Sequence, residues 1–83
     1  MDYKILIRLF VPEIDEIYEL YIPINKYIGE ISASLNKIVN ELSKEYPIKN
    51  GIRLCNRRTG EIYKNNMPIR QTDIRNGTEL VLF

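Results

Sequence analysis

Residues 17–47 read IYELYIPINKYIGEISASLNKIVNELSKEYP, and within this stretch the spacing of apolar side chains changes period. In Ile17 to Ile22 it is two: Tyr18, Leu20 and Ile22 face one way, Glu19 and Tyr21 the other, which is a strand with one buried face. Pro23 ends that run. Beyond it, Ile28, Ile31, Leu35, Ile38, Val39, Leu42 and Tyr46 recur at spacings of three and four and form one stripe of an amphipathic helix. Glu30, Asn36, Lys37, Asn40, Glu41 and Lys44 make up its polar face. Asn25 is the expected N-cap, with Lys26 and Tyr27 opening the first turn. Pro47 stops the helix, because the residue before a proline is driven out of the α region.

On the N-terminal side, Tyr3 to Val11 alternates with Ile5, Ile7 and Leu9 inward and Lys4, Leu6, Arg8 and Phe10 outward. It is joined to the second strand through a loop, Pro12 to Glu16, of a common hairpin length. On the C-terminal side, period two returns in shorter pieces. Ile52 to Asn56 is a strand with Ile52 and Leu54 inward, Arg57-Arg58-Thr59-Gly60 a turn, and Glu61 to Tyr63 a short strand. After the turn Lys64-Asn65-Asn66, Met67 to Ile74 holds a single helical turn anchored by Ile69 and Ile74. Asn76-Gly77 is a turn signal, and Thr78 to Phe83 is the last strand, with Leu80 and Leu82 inward and Val81 and Phe83 outward.

The order β-β-α-β-β-β predicts one α+β domain over residues 1–83: a mixed sheet of four to five strands with one helix packed on one face. The last strand finds protected pairing beside the first, parallel to it, in the middle of the sheet. That arrangement is the β-grasp. Eighty-three residues leave room for one modest core and little for a deep substrate cleft.

Several chemistries lack their residues. There is no histidine, so the commonest general base near neutral pH and the His-paired nucleophiles are missing. A single cysteine, Cys55, excludes an internal disulfide and a Cys-ligated metal or iron–sulfur site within one chain. Arg53 and Arg57 flank Cys55, but an activated thiolate usually also needs a base or a helix terminus, and a partly buried strand residue is the plainer reading. Glu13, Asp15 and Glu16 cluster in the hairpin loop without the glycine and spaced oxygen ligands of a calcium loop. The glycines are isolated, so no phosphate-binding loop is present. No cofactor is expected. Arg53, Arg57, Arg58, Arg70 and Arg75 concentrate in the second half, yet a net charge of +1 and few interleaved aromatics argue against a nucleic-acid face. The start, MDYKILIRLFVPEIDE, lacks the basic, apolar and cleavage regions of a signal peptide, and no apolar run reaches the length of a membrane span, so a cytoplasmic location without membrane insertion is expected.

The segment Leu54-Cys55-Asn56-Arg57-Arg58-Thr59-Gly60-Glu61-Ile62, followed by Ile69 to Ile74 and then Asn76-Gly77-Thr78-Glu79-Leu80-Val81-Leu82, resembles the closing half of ubiquitin-like domains. The NRRTGEI turn and the IRNGTELVL ending look most like the small bacterial YukD/EsaB family, encoded with type VII (ESX-like) secretion systems. The resemblance implies a ubiquitin-like protein-binding adaptor, an accessory or regulatory component of such a system, and not an enzyme. Its partner would be the cytosolic part of the secretion membrane machinery, with no small-molecule substrate. A conjugated or sulfur-carrying relative needs a flexible tail ending in Gly-Gly, and this sequence ends in Glu79-Leu80-Val81-Leu82-Phe83; a carrier lacking its tail here and a small RNA-binding regulator are the alternatives.

The sheet face away from the helix is the expected docking surface. By alternation it carries Leu6, Arg8, Phe10, Glu19, Tyr21, Arg53, Cys55, Val81 and Phe83, and several of these are large and apolar. Leu6, Arg8, Tyr21, Cys55, Val81 and Phe83 are the candidate binding residues, with Cys55, Val81 and Phe83 near the positions of ubiquitin's own hydrophobic patch. A second copy of the chain is another possible occupant, and the edge of the second strand is the other candidate surface.

Overall fold

Alternating apolar residues extend the chain into β1 (Lys4–Val11) and β2 (Glu16–Pro23), paired antiparallel from Lys4 opposite Pro23 to Val11 opposite Glu16. A computed structural model describes residues 3–83. Pro12 opens a single 3-10 turn, Pro12–Ile14, and Asp15 closes it in the left-handed region at φ 53°, a conformation that short polar side chains tolerate better than most.

The helix α1 (Ile28–Leu42) begins three residues after the expected cap at Asn25. Its first amides are satisfied from far along the chain. Ile28 N–H donates to the Met67 carbonyl at 2.9 Å and Gly29 N–H to the Asn65 carbonyl at 3.0 Å. The Glu30 carboxylate accepts from Tyr27 N–H at 3.1 Å. With these donors occupied, a side-chain cap at Asn25 has nothing left to satisfy. The approach of residue 65 is close: a Cβ added at Gly29 would lie 3.2 Å from both Cβ and the carbonyl oxygen of Asn65.

Ile28, Ile31, Leu35 and Val39 bury the helix stripe against the sheet. Two members of the predicted stripe, Ile38 and Leu42, are exposed instead, and Tyr46 is fully buried but lies beyond the helix. The predicted polar face is also corrected at Asn36, which is 2% exposed. Its Nδ2 donates to the Pro47 carbonyl at 3.0 Å and its Oδ1 accepts from Lys49 N–H at 2.8 Å. Asn40 Nδ2 donates to the Tyr46 carbonyl at 2.7 Å. The helix therefore ends at Leu42, ahead of Pro47, and two asparagines strap the returning chain across its flank. Lys49 adds an ion pair with Glu13 and lies over the Tyr46 ring, 4.8 Å from its centre.

β3 (Leu54–Asn56) and β4 (Glu79–Leu82) complete a four-stranded sheet in the order β2-β1-β4-β3. β1 and β4 run parallel, with Leu9 opposite Leu80; β3 and β4 run antiparallel, with Leu54 opposite Leu82. Paired bonds between Arg53 and Phe83 carry that ladder one step further, at 2.7 and 3.0 Å. The predicted strand Glu61 to Tyr63 is reduced to a bridge, Cys55 opposite Ile62, flanked by bonds from Asn56 N–H to the Glu61 carbonyl and from Tyr63 N–H to the Leu54 carbonyl. The expected helical turn is the 3-10 turn Ile69–Gln71, and Ile69 and Ile74 are both buried.

The core is continuous: Ile7, Leu9, Val11 and Ile22 from the hairpin, Leu54, Leu80 and Leu82 from the other strands, and the helix stripe, closed below by Tyr46, Ile52 and Tyr63. The Tyr63 hydroxyl accepts from Asn56 Nδ2 at 3.1 Å and donates to Asp73 Oδ1 at 2.6 Å. Burial, with the hydrogen bond to Asp73, pushes its pKa well above the usual tyrosine value. Replacing Asn36 by Ala strands the Pro47 carbonyl and the Lys49 amide. A loss of about 2–3 kcal/mol of unfolding free energy is expected by urea denaturation. A loss under about 0.5 kcal/mol would mean that water replaces both bonds.

Candidate functional site

Strand pairing settles which side chains adjoin on the open face, because residues directly opposite each other share a face. The registers Phe10 opposite Ile17, Phe10 opposite Val81, Cys55 opposite Val81 and Cys55 opposite Ile62 chain five residues into one row. Ile17, Phe10, Val81, Cys55 and Ile62 thus cross the whole sheet, every one of them apolar. Ile17 and Ile62, at the two ends, are 44% and 50% exposed. Phe83 follows Val81 on the same face of β4, opposite Arg53, and is 46% exposed.

The next row is charged. Arg8 lies opposite Glu19 on one side and Glu79 on the other. Its guanidinium reaches both carboxylates, with Nε 3.9 Å from Glu19 and Nη1 3.5 Å from Glu79. Beyond this row, Leu6 lies opposite Tyr21, which is 68% exposed. Leu6 N–H donates to Asn76 Oδ1 at 2.7 Å.

The six residues singled out from the sequence therefore do not form one patch. Cys55, Val81 and Phe83 come together; Leu6 and Tyr21 lie on the far side of Arg8, which is held between two glutamates. Phe10, outward in the alternation but not singled out, joins Ile17 to Val81 in the apolar row. Ile17 and Ile62 were missed. The inward placement of Tyr18 already implies that Ile17 faces out, and the burial of Tyr63 implies the same for Ile62.

Arginines line the β3 side of the row. The Arg57 guanidinium stacks over the Phe10 ring, 4.6 Å from its centre. Arg53 Nη2 donates to the Tyr63 carbonyl at 3.0 Å. Cys55 is half-buried, and desolvation raises its thiol pKa above the usual value. Neither neighbouring arginine lowers it, so the geometry gives Cys55 the character of a packed thiol and not of an activated nucleophile. Among the described residues, no group of three His, Cys, Asp or Glu side chains is placed to hold a metal ion. No helix among them is long and apolar enough to cross a membrane.

A second surface lies at the other edge. Among the described residues β2 is an edge strand, and a shallow groove between it and α1 is lined by Tyr21, Pro23, Lys26, Ile31, Leu35 and Ile38.

No family model matches the chain, and no curated protein does. Solved structures do. A chain of the MycP5-free ESX-5 inner membrane complex superposes with a TM-score of 0.82 at 16% identity, over 98% of this chain and 21% of that one. This domain thus spans about a fifth of that neighbour's length. The EccD5 ubiquitin-like domain from Mycobacterium xenopi gives 0.79 at 16% identity, covering 96% of this chain and 92% of that one. Caldiarchaeum subterraneum ubiquitin gives 0.67 at 19% identity, covering 95% and 90%. At these identities the likeness shows the fold: the chain is a ubiquitin-like β-grasp domain, as its order of elements predicted.

A raised thiol pKa means less thiolate at any given pH. At about pH 8, iodoacetamide is expected to alkylate Cys55 in the native domain at least about threefold more slowly than in the guanidinium-unfolded chain. Faster reaction in the native domain would restore the reading of Cys55 as an activated nucleophile.

Proposed function

We propose that this domain is a protein-binding adaptor of a bacterial type VII (ESX-like) secretion system, acting in the cytoplasm by docking on the cytosolic part of the membrane machinery. The observation that carries the reading is the apolar row Ile17–Phe10–Val81–Cys55–Ile62, continued by Phe83, on the sheet face turned away from the helix. A contiguous apolar strip of that kind on so small a domain marks a protein-interaction surface. The resemblance of the NRRTGEI and IRNGTELVL segments to the YukD/EsaB family supports the secretion context, as does the likeness to a chain of the ESX-5 inner membrane complex and to the EccD5 domain. Docking through the face requires no catalytic group, and it asks nothing of the chain's ends.

The test is a pull-down from cells of the source organism, with captured proteins identified by mass spectrometry. The baits are the wild-type domain, a Val81→Asp/Phe83→Asp variant and an Ile62→Asp variant. Ile62 is exposed enough that a carboxylate there leaves the fold intact, which circular dichroism checks for each bait. Wild type is expected to capture type VII membrane components, and both folded variants to retain about a tenth or less of them, as befits a carboxylate placed within an apolar docking strip. Equal capture by all three baits would move the docking site to the β2 edge. Capture of no secretion component by wild type would end the secretion reading.

A further inference from the structure

We infer that the segment docking on this face is acidic: a partner stretch with two or three large apolar side chains flanked by Asp or Glu. The inference rests on the docking-face reading above and adds the partner's chemistry.

It comes from how the face distributes its charge. Lys4, Arg8, Arg53 and Arg57 share the open face with Glu19 and Glu79, while Arg58, Glu16 and Glu61 adjoin those residues or the row in sequence. Their pairing is uneven. Arg8 takes both Glu19 and Glu79. The only other ion pair among the described residues is Lys49 with Glu13, which belongs to the strapped loop. Among the described residues, Arg53, Arg57 and Arg58 therefore have no carboxylate within ion-pairing distance. Arg57 stands opposite Glu79 across the β3–β4 ladder, as its N–H bond to the Glu79 carbonyl shows, yet that side chain is held by Arg8. Its guanidinium rests on the Phe10 ring instead. Arg53 has a buried Nε with no hydrogen-bond partner.

The apolar row thus carries a cationic rim on its β3 side. A guanidinium stacked on a ring keeps its edge N–H groups free, and a carboxylate is the group that fits them two at a time. A partner that buries apolar side chains against Phe10, Val81 and Ile62 brings its flanking residues over Arg57, with Arg58 next to it in the chain. Acidic residues there pair with existing cations; lysines would be repelled. Nucleic acid fits the row less well. Within the row the one aromatic ring, Phe10, is already covered, and Phe83 beside it is a single exposed ring, whereas bases need a run of open aromatic faces to stack upon.

The experiment selects random peptides displayed on phage against the full chain and three variants: Ile62→Asp, Arg57→Gln/Arg58→Gln and Arg57→Lys/Arg58→Lys. Wild type is expected to enrich peptides in which Asp and Glu exceed Lys and Arg beside the apolar anchors. Those peptides should lose binding on Ile62→Asp and weaken about two- to fivefold per arginine on the glutamine variant, with most of the affinity returning on the lysine variant. Peptides that need Ile62 but show no acidic excess would overturn the inference and leave the docking face standing. Peptides that bind Ile62→Asp as well as wild type, or the enrichment of none, would overturn both. An oligouridylate RNA that binds wild type, fails on the glutamine variant and dissociates steeply as salt rises would replace the acidic segment by nucleic acid.

Discussion

The parallel pairing of β1 with β4 holds the first and last strands side by side, and the rest of the domain is arranged around it. Arg8 N–H donates to the Thr78 carbonyl, and Gly77 N–H to the Leu6 carbonyl, so the ladder joins residues some seventy positions apart. Neither strand has this partner until the chain is nearly complete, so closure entropy must be met by burial. Leu9 opposite Leu80, both fully buried under the helix, supplies it. The same register dictates the other face. With Leu9 and Leu80 inside, Phe10 and Val81 must meet outside, and a slip of one residue would exchange the core for the surface. Core and candidate site are thus two consequences of one alignment.

The periods of the sequence carried the order of elements, the inward residues of the strands and the fold. What they did not carry is what depends on distant backbone. Asn25 is a good N-cap by local rules, but the amides of Ile28 and Gly29 are taken by the carbonyls of Met67 and Asn65, which no local pattern announces. Asn36 reads as a solvent-facing residue until residues 47–49 return across it. The candidate face was legible to the same depth. Alternation gave which residues point outward; register decided which of them touch. Leu6 and Val81 are on neighbouring strands and the same face, yet Val81 pairs with Phe10, and Arg8 lies between. An adjacency of strands is not an adjacency of side chains.

That intervening row has its own consequence. Arg8 shared between Glu19 and Glu79 is exposed, and such pairs contribute little to stability. Its effect is on geometry and specificity. It interrupts what would otherwise be apolar contact from Tyr21 to Phe83, so a partner that lies along the Phe10 row must stop at Arg8 or present a polar group to it. The face is a strip, one row wide with an extension at Phe83, not a broad sheet-wide patch.

A strip of this kind carries a hazard, because an apolar row reaching both sides of a sheet can also recruit copies of itself. The residues around it bear on which association prevails. Glu16 and Glu19 bracket Ile17 on the open β2 edge, and Glu61 precedes Ile62 at the other end. Arg57 lies across Phe10. Two copies stacked face to face with their rows aligned in the same sense would bring the arginine side of one over the arginine side of the other. That juxtaposition costs free energy in a setting from which water is being removed. A partner with acids over the arginines meets no such penalty. The arrangement that disfavours that self-pairing is the one that would favour an acidic partner.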